Sequence, residues 1–271
     1  MEWLIKTGRS FYAIAIGGLG FQQFLDGQFR PVLLPAWPAW LPGLSIIAYL
    51  AGAALIACAV AILFEKRARA VALVLGGVLL LLVVFGHLPY ELFADPSKGY
   101  LFAWSDTLKE LTLSGGAFVI AGSYPGGNAT GHQPSALTRL LEKFIPVAPV
   151  FFSIMLIVFG IIHFQYADGV KTMVPAWIPP GQVFWTYFAA IALIGSGIAI
   201  IFKIQLRLIA TLLGIMIFCW FILLHIPRAA VAPPTDKGNE LTSVFEALGF
   251  SGIAFVISRT VRRGKAALSV S

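Results

Sequence analysis

Apolar stretches of about bilayer-crossing length recur from one end of this chain to the other, and that pattern limits what the chain can fold into. A helix needs about 20 apolar residues to cross about 30 Å of hydrocarbon. Helices and closed barrels alone satisfy their own backbone polar groups there. Eight stretches are read, at approximately Phe11–Leu25, Leu44–Phe64, Ala68–His87, Thr107–Ser123, Val147–Tyr166, Val183–Phe202, Leu206–His225 and Leu241–Ser258. Only 11% of the 271 residues are charged and the mean hydropathy is +0.88. A soluble domain carries about 25% charged residues, so lipid is the solvent for most of these side chains.

Charge decides the expected orientation, because Lys and Arg in short loops mark the cytoplasmic side. With the N-terminus inside, Lys6, Arg9, Lys66, Arg67, Arg69, Arg139, Lys143, Lys203, Arg207, Arg259, Arg262, Arg263 and Lys265 fall inside, thirteen of the nineteen basic residues. Among acidic residues only Glu2, Glu65 and Glu142 join them, which leaves nine of twelve outside. Both counts favour N-in, C-in. The net charge of +7 therefore belongs to a cytoplasmic rim that suits anionic lipid headgroups, and nucleic acid is not an expected partner. Met1–Ser10 leads into the first span without a small-residue cleavage site, so no cleaved signal peptide is expected. Cys58 and Cys219 lie in separate spans with no second thiol nearby in sequence, which argues against thiol–disulfide chemistry.

An internal repeat sets the expected architecture. Leu34-Pro35-Ala36-Trp37 returns as Val174-Pro175-Ala176-Trp177, a shift of 140. Pro42-Gly43, Tyr49 and His87-Leu88-Pro89 then match Pro180-Gly181, Tyr187 and His225-Ile226-Pro227 at a shift of 138. Ala117-Phe118-Val119-Ile120 matches Ala254-Phe255-Val256-Ile257 at 137. Matches over four spans in one order imply duplication. The fold class read from this is all-α integral membrane, eight transmembrane helices as two tandem four-helix bundles related by an axis along the membrane normal. Residues 1–123 form the first module, 124–144 a cytoplasmic linker with a short amphipathic helix, and 145–271 the second module.

Polar side chains within or at the ends of spans are the natural functional candidates, because hydrocarbon penalises them. They gather at the outer side: Gln22 and Gln23 close span one, His87 and Tyr90 span three, His163 and Gln165 span five, and His225 span seven. His87 and His225 each precede a proline by two residues, so each is expected in the last turn of its helix. There a histidine either caps free carbonyls or faces a cavity as a proton carrier or hydrogen-bond donor. Gln23 stands where the second copy has His163, which favours polar contact over proton transfer at that position. No two histidines have the spacing of a compact metal site, so no metal is expected. Trp37, Trp40 and Trp177 lie in proline-rich outer loops, as headgroup anchors or as pocket lids. Lys109 and Glu246 occupy equivalent positions with opposite charge and are read as a candidate ion pair across the pseudo-axis; Glu110 is the alternative partner for Lys109.

The Pro-x-Trp loop after span one and the His-x-Pro after span three resemble the DoxX-like family. The match is strongest from Gly160-Ile161-Ile162-His163 through Val174-Pro175-Ala176-Trp177-Ile178-Pro179 and Tyr187 to His225-Ile226-Pro227. A fused double module departs from the usual single four-helix member. The resemblance implies a multi-pass protein of the cell inner membrane and a redox-associated subunit binding a lipophilic ligand such as a quinone. A membrane or peripheral redox protein would then be its partner. His87, His163, His225, Gln23 and Tyr90 would contact that ligand, with Trp37 and Trp177 as walls. If it is an enzyme at all, it would be a quinone-linked oxidoreductase subunit. A non-catalytic scaffold or assembly factor is the alternative, and a small-molecule transporter ranks last because the spans show few charges.

Overall fold

A computed structural model describes residues 2–35, 43–126 and 134–260. Trp37, Trp40, most of the glycine-rich linker (127–133) and Arg262, Arg263 and Lys265 lie outside the described residues. Every regular element among the described residues is helical. The long helices are α1 (Trp3–Asp26), α2 (Leu44–Leu63), α3 (Ala68–Leu82), α4 (Ser105–Ser123), α6 (Ala148–Gln165), α8 (Gln182–Ile201), α9 (Leu206–Trp220) and α11 (Lys237–Ile257). Short pieces α5 (Ala136–Glu142), α7 (Ala167–Val170) and α10 (Ile226–Val231) join them. Among the described residues, six continuous helical segments are long and apolar enough to cross a membrane: Leu44–Leu63, Ala68–Ala94, Ala148–Gln165, Gln182–Ile201, Leu206–Val231 and Lys237–Ile257. They display exposed Ile47, Leu50, Leu81, Phe85, Ile191 and Leu212, as a lipid-facing surface does.

One expectation changes here. The helices do not end at the prolines after His87 and His225. Wide π turns at Val83–His87 and Phe221–His225 precede them, and the chain runs on helically to Ala94 and Val231. A proline is tolerated where a new helical segment begins, since its missing N–H would have no partner there, and the π turn supplies that beginning. Neither histidine sits in a last turn. The amphipathic piece expected in the linker is α5, capped by Ser135 Oγ accepting from the Thr138 amide at 3.1 Å. It presents Leu137 and Leu140 outward and buries Leu141 against Gly77 of α3.

The helices pack in sequence order, α1 on α2, α2 on α3, α3 on α4, and likewise α6 on α8, α8 on α9, α9 on α11. The halves interlock: α11 lies along α1, α4 lies along α6, and α4 and α11 meet in the middle. Central placement explains why α4 is buried without a break from Thr112 to Ala121 and α11 from Glu246 to Ile257. Of the apolar window of α11, 78% is buried, against 22–39% in the other five spanning segments.

Small residues allow this packing, because helices in lipid associate by close backbone approach rather than by hydrophobic force. A Cβ added at Gly20 would lie 2.7 Å from the Gly52 carbonyl oxygen, and one at Gly160 2.7 Å from that of Ala190. Between halves, a Cβ at Gly8 would meet the Gly252 oxygen at 2.6 Å, and one at Gly115 the Ala148 oxygen at 2.9 Å. Each of these pairs of contacts is one contact seen twice at shifts of 137–140. The recurrence extends to Ser114 Oγ donating to the Gly76 carbonyl and Ser251 Oγ to that of Gly214, at 2.8 and 2.9 Å. Phe24 on Tyr49 and Phe164 on Tyr187 repeat as well. So do the left-handed residues Glu65 and Arg67, and Lys203 and Gln205, in the tight turns after α2 and α8.

The end where α1 starts and α11 finishes, here the base, is fastened by arginines. Arg9 donates to Ser123 Oγ at 2.8 Å and to the Ser123 carbonyl at 2.5 Å, pairs with Glu65 at 3.1 Å and stacks 3.6 Å over the Tyr124 ring. Burial raises the pKa of Tyr124 and the Arg9 charge opposes it, so the ring stays neutral at physiological pH. Arg69 donates to the Ala121 and Tyr124 carbonyls and pairs with Glu142 at 2.6 Å. Two guanidinium groups thus satisfy the free carbonyl end of the central helix α4.

Replacing Gly20 by Leu forces α1 from α2 and is expected to lower stability by about 1–3 kcal/mol in detergent unfolding. At Gly195 an added Cβ meets nothing within 4 Å, so Gly195→Ala should stay within about 0.5 kcal/mol of the parent.

Candidate functional site

The opposite end, the crown, concentrates the polar side chains. Asp106, Lys109 and Glu110 begin the central helix α4, and Glu240, Thr242 and Glu246 begin α11. On a helix, residues three and four apart share a face, so Asp106 stands beside both Lys109 and Glu110. Lys109 Nζ lies 3.2 Å from Asp106 Oδ1 and 3.2 Å from Glu246 Oε2. The structure thus brings the two residues singled out by the repeat together across the α4–α11 seam. Glu246 is 4% exposed and its Oε1 takes no hydrogen bond. Glu110, the other partner considered for Lys109, is fully buried with neither oxygen hydrogen-bonded.

Above the seam opens a polar cavity of about 330 Å³, whose walls include Arg30, Phe102, Asp106, Lys109, Asn239 and Thr242. Arg30 closes one side, donating to Asp26 at 2.8 Å, Thr242 Oγ1 at 3.1 Å and Asn239 Oδ1 at 2.5 Å. Gln22 adds to this wall by donating to the Gly238 carbonyl at 3.0 Å and accepting from Thr242 at 3.2 Å. Arg228 pairs with Glu240 at the edge.

The histidines are distributed around this layer. His87 is 1% exposed; its Nδ1 is 3.5 Å from Thr107 Oγ1, which also lies 3.4 Å from Glu91 Oε1, and its Nε2 has no hydrogen-bond partner. His225 has a buried Nδ1 without a partner and feels the charges of Arg228 and Lys109. His163 and Gln23 behave alike despite their chemistry. His163 Nδ1 lies 2.7 Å from the Phe159 carbonyl, and Gln23 Nε2 donates to the Leu19 carbonyl at 3.2 Å, each four residues back on its own helix. Tyr90 is partly buried in the turn beyond His87, and Trp177 is 71% exposed. No hydrogen bond among the described residues joins any two of these three histidines.

A second feature lies in the second half. Between α8 and α9 an apolar groove of about 610 Å³ is walled by Trp185, Phe188, Leu212, Met216, Trp220 and Leu223, with Gly195 and Ser196 on its floor. Trp185 and Trp220 meet edge to face at 5.6 Å. The residues of α9 and of the turn after it that line the groove, from Ile209 to Leu223, do not include His225. The groove and the histidines are separate features.

Sequence reasoning named Lys109 and Glu246 but passed over Arg30, Glu91 and Thr107, and judged the spans poor in charge. The structure buries Glu91, Glu110, Glu240 and Glu246. The available signal was three ionisable residues in the first two turns of a span otherwise free of charge. Comparison with protein-family models, with curated proteins and with solved structures finds no match.

Removing one member of the seam pair strands the other, so Lys109→Met is expected to cost about 3 kcal/mol, while Lys109→Met with Glu246→Leu recovers most of it. A double-mutant cycle in detergent reads this directly; strictly additive losses would show that the two charges do not support each other.

Proposed function

We propose that the chain is a multi-pass membrane protein of the DoxX-like type, made of two interlocked four-helix modules, that holds a lipophilic molecule in the groove between α8 and α9. In this reading α1 and α4 also span, giving eight crossings with the base cytoplasmic. The six long apolar segments and the lipid-facing side chains support the membrane placement. The contacts that recur at shifts of 137–140 support duplication, and Arg9, Arg69, Arg139, Lys203 and Arg207 on the base support the orientation.

The groove carries the ligand reading. It is large enough for a long tail and bounded by the Trp185–Trp220 corner, whose indoles suit a ring-bearing or unsaturated molecule. A quinone is the class that the family resemblance implies, and with it a redox partner protein. The transporter reading gains from one observation, the glutamates buried within the helices.

Gly195 provides the test, since it lines the groove and a Cβ added there meets nothing within 4 Å. Purified protein should release a near-equimolar lipophilic compound into organic solvent, identified by mass spectrometry. Gly195→Phe should retain about tenfold less, equivalent to about 1.4 kcal/mol of binding. Equal amounts of bulk lipid from both proteins would instead favour a non-catalytic scaffold.

Orientation is checked separately. With Cys58 and Cys219 replaced by Ala, a cysteine introduced at Ser97 should react with an impermeant maleimide on intact cells. One introduced at Ser135 should react only after lysis; the reverse pattern would invert the topology.

A further inference from the structure

We infer that Glu110 is a proton-binding site inside the helix bundle, loaded from the crown cavity through Asp106 and the Lys109–Glu246 seam. The inference is independent of the groove ligand.

Three observations carry it. First, Glu110 is fully buried and both its oxygens lack hydrogen-bond partners. A carboxylate left so in a low-dielectric interior is expensive, whereas the neutral acid is far less so. Second, its surroundings do not offer it a counter-charge. Asp106 and Glu246 face it as like charges, and the Lys109 ammonium is held 3.2 Å from each of them instead. From α1 it is faced by Tyr12, whose hydroxyl is committed to the Leu113 carbonyl at 2.6 Å. Cys58 of α2 interacts with Tyr12 in turn. On the helical continuation of α3, His87 and Glu91 are engaged with Thr107, three residues nearer the crown on α4.

Third, the fold does not require an acid at this position. Lys109 and Glu246 correspond at a shift of 137, as do Ser114 and Ser251, so Glu110 corresponds to Ala247. Ala247 is 5% exposed: the second half fills the same buried position of its central helix with a methyl group.

Route and site are contiguous. Asp106 and Lys109 line the cavity, and Glu110 follows on the same helix, one turn below Asp106. A proton entering from the cavity needs acceptors, and Asp106 and Glu246 are the carboxylates at hand. Transfer moves one proton from an Asp106 or Glu246 carboxyl to the Glu110 carboxylate, so the charge gained by one group is lost by the other. When Glu246 holds the proton, its attraction for Lys109 is lost. Passage of the proton through Glu246 therefore loosens the seam between the two halves, and its delivery to Glu110 restores it.

Infrared spectroscopy of the purified protein in lipid tests this. A carboxylic acid carbonyl band should be present at neutral pH, absent from Glu110→Gln, and should shift in D2O as its proton exchanges. Glu110→Ala, which copies the second half, serves as the fold-preserving control and should lack the band too. Asp106→Asn should keep the band but slow its exchange by about tenfold or more, as expected on losing a positioned proton relay. A band missing from the parent protein, one that Glu110→Gln leaves in place, or one that never exchanges in D2O would overturn the site. Exchange at the parental rate in Asp106→Asn would overturn the route.

Discussion

The structure depends on backbone-to-backbone contact through glycine and alanine. Lipid tails compete equally well for apolar side chains, so helices in a membrane gain by approaching more closely than lipid can. The chain meets this within its halves at Gly20–Gly52 and Gly160–Ala190, and between them at Gly8–Gly252 and Gly115–Ala148. These contacts draw α4 and α11 into the centre, where each is surrounded by helices of both halves. The apolar lower turns of α4 and α11 can be buried on every side, and the polar upper turns are carried into the interior with them.

That carriage creates the chemistry. Charged residues at the start of an isolated helix would face water and matter little. Held at the centre of eight helices, Lys109 and Glu246 must answer each other, Arg30 must be threaded among Asp26, Asn239 and Thr242, and Glu110 is left with no partner. The two halves share a scaffold and differ in its polar content: Thr107, Glu91 and Glu110 belong to the first, while the apolar groove belongs to the second. Such a division separates a polar face from a lipophilic one within a single frame.

The π turns show how a sequence rule can be locally right and globally misleading. Proline does disfavour a regular helical turn before it, yet the chain opens a wider turn at His87 and His225 and continues as helix. The histidines thereby enter the interior rather than a helix end. Gln23 and His163 carry the opposite lesson, because two unlike side chains make the same bond to the fourth carbonyl behind them. Their equivalence was legible from the alignment of the copies alone.

By itself the sequence determined that the chain is helical and lipid-facing, roughly where its apolar segments run, and that the same motifs occur twice. Each follows from local quantities, namely hydropathy over about 20 residues and identity at a constant shift. The repeat also made Lys109 and Glu246 equivalent positions of opposite charge, which is what suggested them as a pair. Only the tertiary structure decided that the halves interlock, that Glu110 is stranded, that Arg30 walls a cavity and that a groove opens between α8 and α9. Those depend on which faces of distant helices meet. An almost uniformly apolar helix such as α2 or α6 carries too little pattern around its circumference to declare that in advance.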